Sequence, residues 1–388
     1  MQYTLITDNQ GLTDFCQQAS QVNTIAVDTE FVRTRTLYPQ LGLIQLYDGN
    51  QLVLVDPQGI DDFSSLNALL TNPDVVKVLH SCSEDLETFW HVLKVMPTPI
   101  FDSQFAASIV GMGPALGYAK LVDIMLGVTV DKGESRTNWL ARPLTEQQCA
   151  YAANDVLYLF QLYPELKAKV EQQHKLAWVY AEIQHLAVKK QSLMPLDSVY
   201  LGSKNNWKLS GKSLLTLQRL VAWGTKTARE KDLALNFVVR EENLVEIARR
   251  MPKNQNALRA IPSMSHHEIR IHGQRLLAIV AECEDVNPTA YPANIERVNV
   301  YPEYKNTLST VRKICENIAE KLDVPIELVG SKKQLNQLFK WCWFEIDETR
   351  ELGMLPDLLS GWRKEFFLPE LLKVDNLKQA IIDSGHTL

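Results

Sequence analysis

The chain has 388 residues, 46% of them apolar and 22% charged, with a net charge of −6. That length predicts two or three domains of roughly 100–200 residues with sizeable cores. No apolar run approaches about 18 residues and Met1-Gln2-Tyr3-Thr4 opens no basic-then-apolar leader, so neither a membrane span nor a signal peptide is expected.

In chain order, residues 3–6 and 24–27 read as strands, followed by 43–47 and 52–55. A turn containing Asp48-Gly49-Asn50 joins the latter pair into a hairpin. Residues 75–79 make a fifth strand, and helical periodicity runs over 86–95, 104–110, 119–126 and 145–173. A hairpin followed by strand–helix alternation predicts an α/β domain over residues 1–190, a mixed sheet flanked by helices. Beyond about residue 210 the strand signals fade into amphipathic helices. Linkers at 191–208 and 286–302, the second carrying Pro288, Pro292 and Pro302, leave two all-α modules at 208–288 and 300–380. The modules echo each other: Arg219, Asn236-Phe237-Val238-Val239 and Leu244 correspond to Arg312, Glu327-Leu328-Val329-Gly330 and Leu335.

Six scattered cysteines (Cys16, Cys82, Cys149, Cys283, Cys315, Cys342) show no C-x-x-C spacing. They argue against a zinc ribbon or disulfide framework and suit a reducing, cytoplasmic setting. Residues 1–190 hold 13 Lys and Arg against 21 Asp and Glu, whereas 208–285 hold 13 against 9. A basic module beside a carboxylate-rich one fits a metal-dependent enzyme acting on a polyanion.

Asp28-Thr29-Glu30 closes the apolar run Thr24-Ile25-Ala26-Val27, and strand alternation points Asp28 and Glu30 the same way. Two adjacent carboxylates at the end of a core strand repel and resist desolvation; a hard divalent cation relieves both. A third acid, Asp85, lies in His80-Ser81-Cys82-Ser83-Glu84-Asp85-Leu86. Ser81 with Glu84 fits a capping box, which puts Asp85 in the first helical turn, where the macrodipole alone already favours an acid. In Tyr151-Ala152-Ala153-Asn154-Asp155, Tyr151 and Asp155 share one helix face, and Thr145 with Gln148 marks the helix start near 146. His80 and His91 bracket Asp85 but lack partners at i+3 or i+4 and are not read as ligands. Trp341-Cys342-Trp343 reads as core of the last module.

The order Asp-x-Glu, Asp at a helix start, then Tyr-x-x-x-Asp resembles the DEDD exonuclease superfamily in its tyrosine-bearing branch. The resemblance is closer still to the bacterial ribonuclease D family. It runs through Asp28-Thr29-Glu30-Phe31-Val32-Arg33-Thr34-Arg35, Tyr38-Pro39-Gln40-Leu41-Gly42-Leu43-Ile44-Gln45-Leu46, Ser83-Glu84-Asp85-Leu86, Glu134-Ser135-Arg136-Thr137-Asn138-Trp139 and Arg142-Pro143-Leu144-Thr145-Glu146. The helical modules are similar to the HRDC domains that this family carries in tandem. Asn138 departs from the pattern, since many relatives have an acid there.

The resemblance implies a ribonuclease H-like exonuclease domain followed by two HRDC-like modules. It implies a 3′→5′ exoribonuclease that removes 3′ trailer nucleotides from tRNA precursors and other structured RNAs and releases nucleoside 5′-monophosphates. By it, Asp28, Glu30 and Asp155 hold one divalent metal and Asp28 bridges to a second completed by Asp85, with Mg²⁺ expected and Mn²⁺ able to replace it. Two such ions roughly 4 Å apart activate water and stabilise the leaving oxygen. Tyr151 would orient the attacking water, its phenol being too weakly acidic to serve as a base at neutral pH. Phe31 would either stack on a terminal base or face the core, and Arg33, Arg35, Lys132 and Arg136 are phosphate-contact candidates. A monomer without membrane or nucleotide cofactor is expected. No Gly-x-x-x-x-Gly-Lys-Ser/Thr loop is present to drive a helicase. Two other readings stand beside this one: a DNA-directed 3′→5′ exonuclease of the same fold, and a catalytically silent RNA-binding protein.

Overall fold

β-branched and leucine-rich runs in the first hundred residues assemble one sheet. Its strands are β1 (Thr4–Ile6), β2 (Thr24–Val32), β3 (Gln40–Tyr47), β4 (Leu52–Val55), β5 (Val76–Leu79) and β6 (Ile100–Asp102). Residues 2–131 and 133–385 are described by the structure, a computed structural model. Among them the six-stranded sheet has the order β1-β4-β3-β2-β5-β6. β2–β3 and β3–β4 are antiparallel, and the other three pairs are parallel, so the sheet is mixed. Asp48 closes the β3–β4 hairpin by accepting from the N–H groups of Asn50 (2.8 Å) and Gln51 (2.6 Å).

β2 extends five residues beyond its apolar run because pairing with β3 continues through Asp28↔Gln45 and Glu30↔Leu43. The register then shifts, Phe31 facing Leu41, so Gly42 bulges from β3. A side chain there is excluded: a Cβ on Gly42 would stand 2.6 Å from the Trp139 carbonyl oxygen.

Alternation along the strands sorts residues onto two faces. Ile25, Val27, Ile44, Leu46, Val53 and Val55 pack beneath helices α1 (Asn9–Ala19) and α2 (Ser64–Thr71) and the start of α3 (Ser83–Thr88). Ala26, Leu43, Leu54, Val78 and Phe101 pack on the other side under α4 (Ser103–Ile109), α5 (Tyr118–Leu126) and the long α6 (Glu146–Gln172). Helix α7 (Leu176–Gln191) follows after a left-handed turn at His174. The capping box read at Ser81 and Glu84 does not form. Ser81 takes a left-handed backbone (φ 59°), Cys82 is the N-cap, and its N–H donates to the Asp102 carboxylate at 2.7 Å instead. The helix read at 86–95 begins at Ser83 and passes into a π-helical turn, Phe89–Leu93.

No strand follows Asp102 among the described residues. The first helical module comprises α8 (Gly211–Lys231), α9 (Leu235–Val238), α10 (Glu241–Arg250), α11 (Gln255–Arg259) and α12 (His266–Glu282). The second comprises α13 (Tyr304–Leu322), α14 (Ile326–Val329), α15 (Lys332–Trp343), α16 (Glu348–Glu351), α17 (Lys364–Leu371) and α18 (Asp375–Asp383). The echo between the modules is structural: a long helix, a four-residue helix and a third helix recur in order. Both long helices end on an aspartate in the left-handed conformation, Asp232 (φ 47°) and Asp323 (φ 50°).

Those two corners also dock the modules. Asp232 accepts from the backbone N–H groups of Leu37 (3.1 Å) and Tyr38 (3.0 Å), and Ala234 N–H donates to the Arg35 carbonyl at 2.8 Å. The Asp323 carbonyl accepts from Lys175 Nζ at 3.2 Å, while the same ammonium holds the Ile109 carbonyl at 3.0 Å. The first module otherwise keeps its own apolar core, whereas the second shares one with the α6 face of the sheet. At that seam Trp178 of α7 stacks on Trp362 at 5.1 Å, and Glu182 accepts from Trp362 Nε1 and from the buried Arg363. Trp341 is buried in the second module and Trp343 stacks on Tyr301 and Phe339, as read for that cluster. No helix among the described residues is long and apolar enough to cross a membrane.

Candidate active site

The alternation of β2 and the phase of α6 bring three carboxylates together: oxygens of Asp28, Glu30 and Asp155 all lie within 4.8 Å of one another. The phase of α6 is set at its start. Thr145 Oγ1 accepts from Gln148 N–H (3.1 Å) and Gln148 Oε1 accepts from Thr145 N–H (3.0 Å), the capping box expected there. Ala152 and Ala153, fully buried, let the helix sit close on the sheet. Asp85 falls in the first turn of α3 and is fastened to β2 by Thr29, whose hydroxyl donates to Asp85 Oδ1 at 2.5 Å.

Crowding and burial push all four acids toward protonation. Burial, then the charges of Asp85, Asp155 and Glu30, raises Asp28 well above the carboxylate range. Burial and the charges of Asp155 and Asp85 raise Glu30 to about 9. Burial raises Asp155 to about 7 against the opposing hydrogen bond of Tyr151. Burial also raises Asp85 to about 6, restrained by the Thr29 hydroxyl. Four such groups with oxygen donors only, each disfavoured as an anion among the others, fit a hard divalent cation of the Mg²⁺ or Mn²⁺ kind.

Tyr151 projects from α6 beside Asp155, and burial with the neighbouring carboxylates pushes its phenol further up, so it is a neutral hydroxyl at ordinary pH. Tyr118, which the sequence reading passed over, braces the site from α5. Its hydroxyl is shared between the carbonyls of Asn154 (2.9 Å) and Asp155 (2.6 Å), while His80 rests edge-on against its ring. His80 Nδ1 pairs with Ser103 Oγ at 2.9 Å and His91 stacks on Tyr38 at 3.8 Å, so neither histidine faces the carboxylates as a ligand. Arg142 clamps the preceding loop: it grips Asp56 with two 2.6 Å bonds and donates to the carbonyls of Gly42 (2.7 Å) and Trp139 (2.8 Å). That keeps Trp139 beside Tyr151, with ring centres 6.2 Å apart.

The flanking candidates scatter. Phe31 is half-buried and belongs to none of the three apolar cores. Arg33 pairs with Glu87 at 3.0 Å and donates to the Leu37 carbonyl, and Arg35 lies 5.2 Å over the Phe237 ring of the first module. Arg35 is therefore engaged at the domain junction and Arg33 within the exonuclease domain. Arg136 is exposed, and Lys132 lies outside the described residues.

Each of the three domains resembles a known family. Residues 3–171 match the family model described as 3′-5′ exonuclease, 214–280 the HRDC domain, and 302–371 the ribonuclease D C-terminal HRDC domain. Ribonuclease D of Shewanella sp. (strain ANA-3) is 41% identical over 373 residues, covering 96% of this chain and 94% of that one. Ribonuclease D of Escherichia coli (strain K12) is 40% identical over 371 residues, covering 96% and 98%. The crystal structure of Escherichia coli RNase D, described as an exoribonuclease involved in structured RNA processing, superposes with a TM-score of 0.91 at 39% identity and covers 99% of both chains. A protein from Bifidobacterium adolescentis shares the fold at 23% identity, with a TM-score of 0.67 over 97% of this chain and 96% of that one. With its exonuclease domain, its paired HRDC modules and near full-length identity of this order, the chain belongs to the ribonuclease D family.

Proposed function

We propose that this protein is a cytoplasmic, monomeric 3′→5′ exoribonuclease that trims the 3′ trailers of tRNA precursors and other structured RNAs one nucleotide at a time, releasing nucleoside 5′-monophosphates. The observation that carries the reading is the convergence of Asp28, Glu30 and Asp155 within 4.8 Å, with Asp85 tied in through Thr29. The Escherichia coli relative, described as acting on structured RNA, supports the choice of substrate.

In this reading Asp28, Glu30 and Asp155 would hold one divalent ion and Asp28 with Asp85 would hold a second, Mg²⁺ replaceable by Mn²⁺. When bound, such ions supply an activated water and neutralise charge on the phosphate and the leaving oxygen. Water attacks the terminal phosphorus, the P–O3′ bond breaks, and the shortened chain keeps a 3′ hydroxyl. Tyr151, protonated at neutral pH, orients the water by hydrogen bonding and does not abstract its proton. Tyr118 fixes the backbone of Asp155, which keeps the carboxylates in register with β2. Phe31 offers its ring to the terminal base and Arg136 its charge to a phosphate. Arg33 and Arg35 would reach substrate only by leaving Glu87 and Phe237. The basic first module grips the RNA body, which makes binding salt-sensitive.

The test is a time course on 5′-labelled, 3′-tailed tRNA with Mg²⁺, with EDTA and with Asp155→Asn, beside a matched DNA strand. A one-nucleotide ladder confined to wild type with Mg²⁺ and to RNA supports the reading. No cleavage in any lane with RNA still bound favours the silent binding protein, and faster loss of the DNA strand favours the DNA exonuclease.

A further inference from the structure

Gln45 sits in the middle of β3, wholly buried, and neither its Oε1 nor its Nε2 has a hydrogen-bond partner. Its cross-strand partner in the β2–β3 ladder is Asp28. Residues directly opposite in an antiparallel pair project from the same face, with Cβ atoms about 4.5–5.5 Å apart. That face is the one covered by α6, which carries Tyr151 and Asp155. The surrounding positions there are apolar: Ala26 and Leu43 two residues away on their strands, and Leu54 opposite Gln45 on β4. A leucine at 45 would continue this packing. A buried, unpaired carboxamide in its place destabilises the fold.

The chemistry of the amide matches the neighbour it faces. Carboxylates in this cluster can only accept, and Nε2 can only donate. The amide adds no charge to four acids that already repel one another, and unlike a lysine it does not compete with a cation for them. Resting on the active-site reading above, we infer that Gln45 is the positioning residue for Asp28. Its Nε2 donates to the Asp28 carboxylate, directly or through one buried water, when a divalent cation is bound, and so selects which carboxylate oxygen faces the ion.

The test uses the full chain with Gln45→Leu and the near-isosteric Gln45→Met, and Asp28→Asn alongside. Mn²⁺ binding without RNA is titrated by the electron-spin resonance of the free ion, thermal midpoints are read in EDTA, and kcat and KM are measured on 3′-tailed RNA. Loss of an outer hydrogen bond to a ligand weakens metal affinity by about 10–100-fold. The expected result is therefore a Mn²⁺ dissociation constant raised at least about tenfold, a lower kcat at subsaturating metal, an unchanged KM for RNA, and a midpoint in EDTA equal to or above wild type. Wild-type Mn²⁺ affinity in folded variants overturns the inference, and so does failure of both variants to fold, which would make Gln45 purely structural. Lost Mn²⁺ binding in Asp28→Asn with none lost at Gln45 overturns this role alone. Unchanged binding and cleavage in Asp28→Asn instead overturns the active-site reading.

Discussion

Thr29 and Asp85, 56 residues apart, meet through a 2.5 Å hydrogen bond from hydroxyl to carboxylate. That bond joins β2, which carries Asp28 and Glu30, to α3, and it is the main force opposing the rise of the Asp85 pKa with burial. Thr29→Val keeps the side-chain shape and removes the donor. Asp85 then titrates higher, so the acid limb of the pH–rate profile moves to higher pH. Activity at pH 6 falls roughly tenfold, the scale of one hydrogen bond to a charged group. Profiles of kcat/KM for wild type and variant check this; superimposable limbs would refute it.

The raised carboxylates predict how the metal-free fold responds to pH. Folded values near 6 for Asp85, near 7 for Asp155 and near 9 for Glu30 exceed the ordinary 3.8 to 4.5. Between those limits the native state binds more protons than the unfolded chain, so stability is fully present below about pH 4 and is lost as pH rises through the folded values. In EDTA the thermal midpoint should therefore fall from pH 5 to pH 9. Mg²⁺ should raise it, with a gain that grows with pH as binding displaces protons. A midpoint flat across that range in EDTA would contradict the cluster's electrostatics.

Asp232 holds the first module against the loop leaving β2, through two backbone donors at Leu37 and Tyr38. Asp232→Ala leaves those N–H groups without their partner and costs about 1–3 kcal/mol of docking. Trimming of a short single-stranded RNA should hardly change, while processing of tailed tRNA weakens several-fold. Faster amide exchange over residues 35–40 would report the loosened junction directly.

The second module is held differently. Arg363 is buried against Glu182 of α7, with its other donors on the Leu328 carbonyl. Glu182→Ala strands a buried cation, a loss of about 3–5 kcal/mol. Urea unfolding should show a transition shifted to lower denaturant for the exonuclease signal as well as for the module, since both share one core.

The site was legible where its chemistry follows a local period. One strand residue, Thr29, separates Asp28 from Glu30 and one helical turn separates Tyr151 from Asp155, so sequence spacing alone puts each pair on one face. What joins the pairs is not local. The Asp28↔Gln45 register, the Gly42 bulge against Trp139 and the Thr29–Asp85 bond depend on strands meeting across the sheet. β6 is three residues long, too short to show a period, yet its Asp102 supplies the acceptor that displaced the Ser81 capping box. Helix α1 did carry a signal, with Leu12, Phe15, Cys16 and Ala19 spaced by three, one and three, but its polar content masked it. The arginines near the carboxylates could be located in sequence, but their engagement by Glu87 and Phe237 could not.

The shared core of the sheet and the second module means that order along the chain differs from order of dependence. An apolar network that begins at Ala26 is closed only by residues as distant as Leu377 and Ile381, whereas the module between them stands on its own core. During synthesis, the exonuclease domain leaves the ribosome with the flank around Trp178 still bare, and it waits through the whole middle module for its cover. The nascent enzyme is thus finished from its far end.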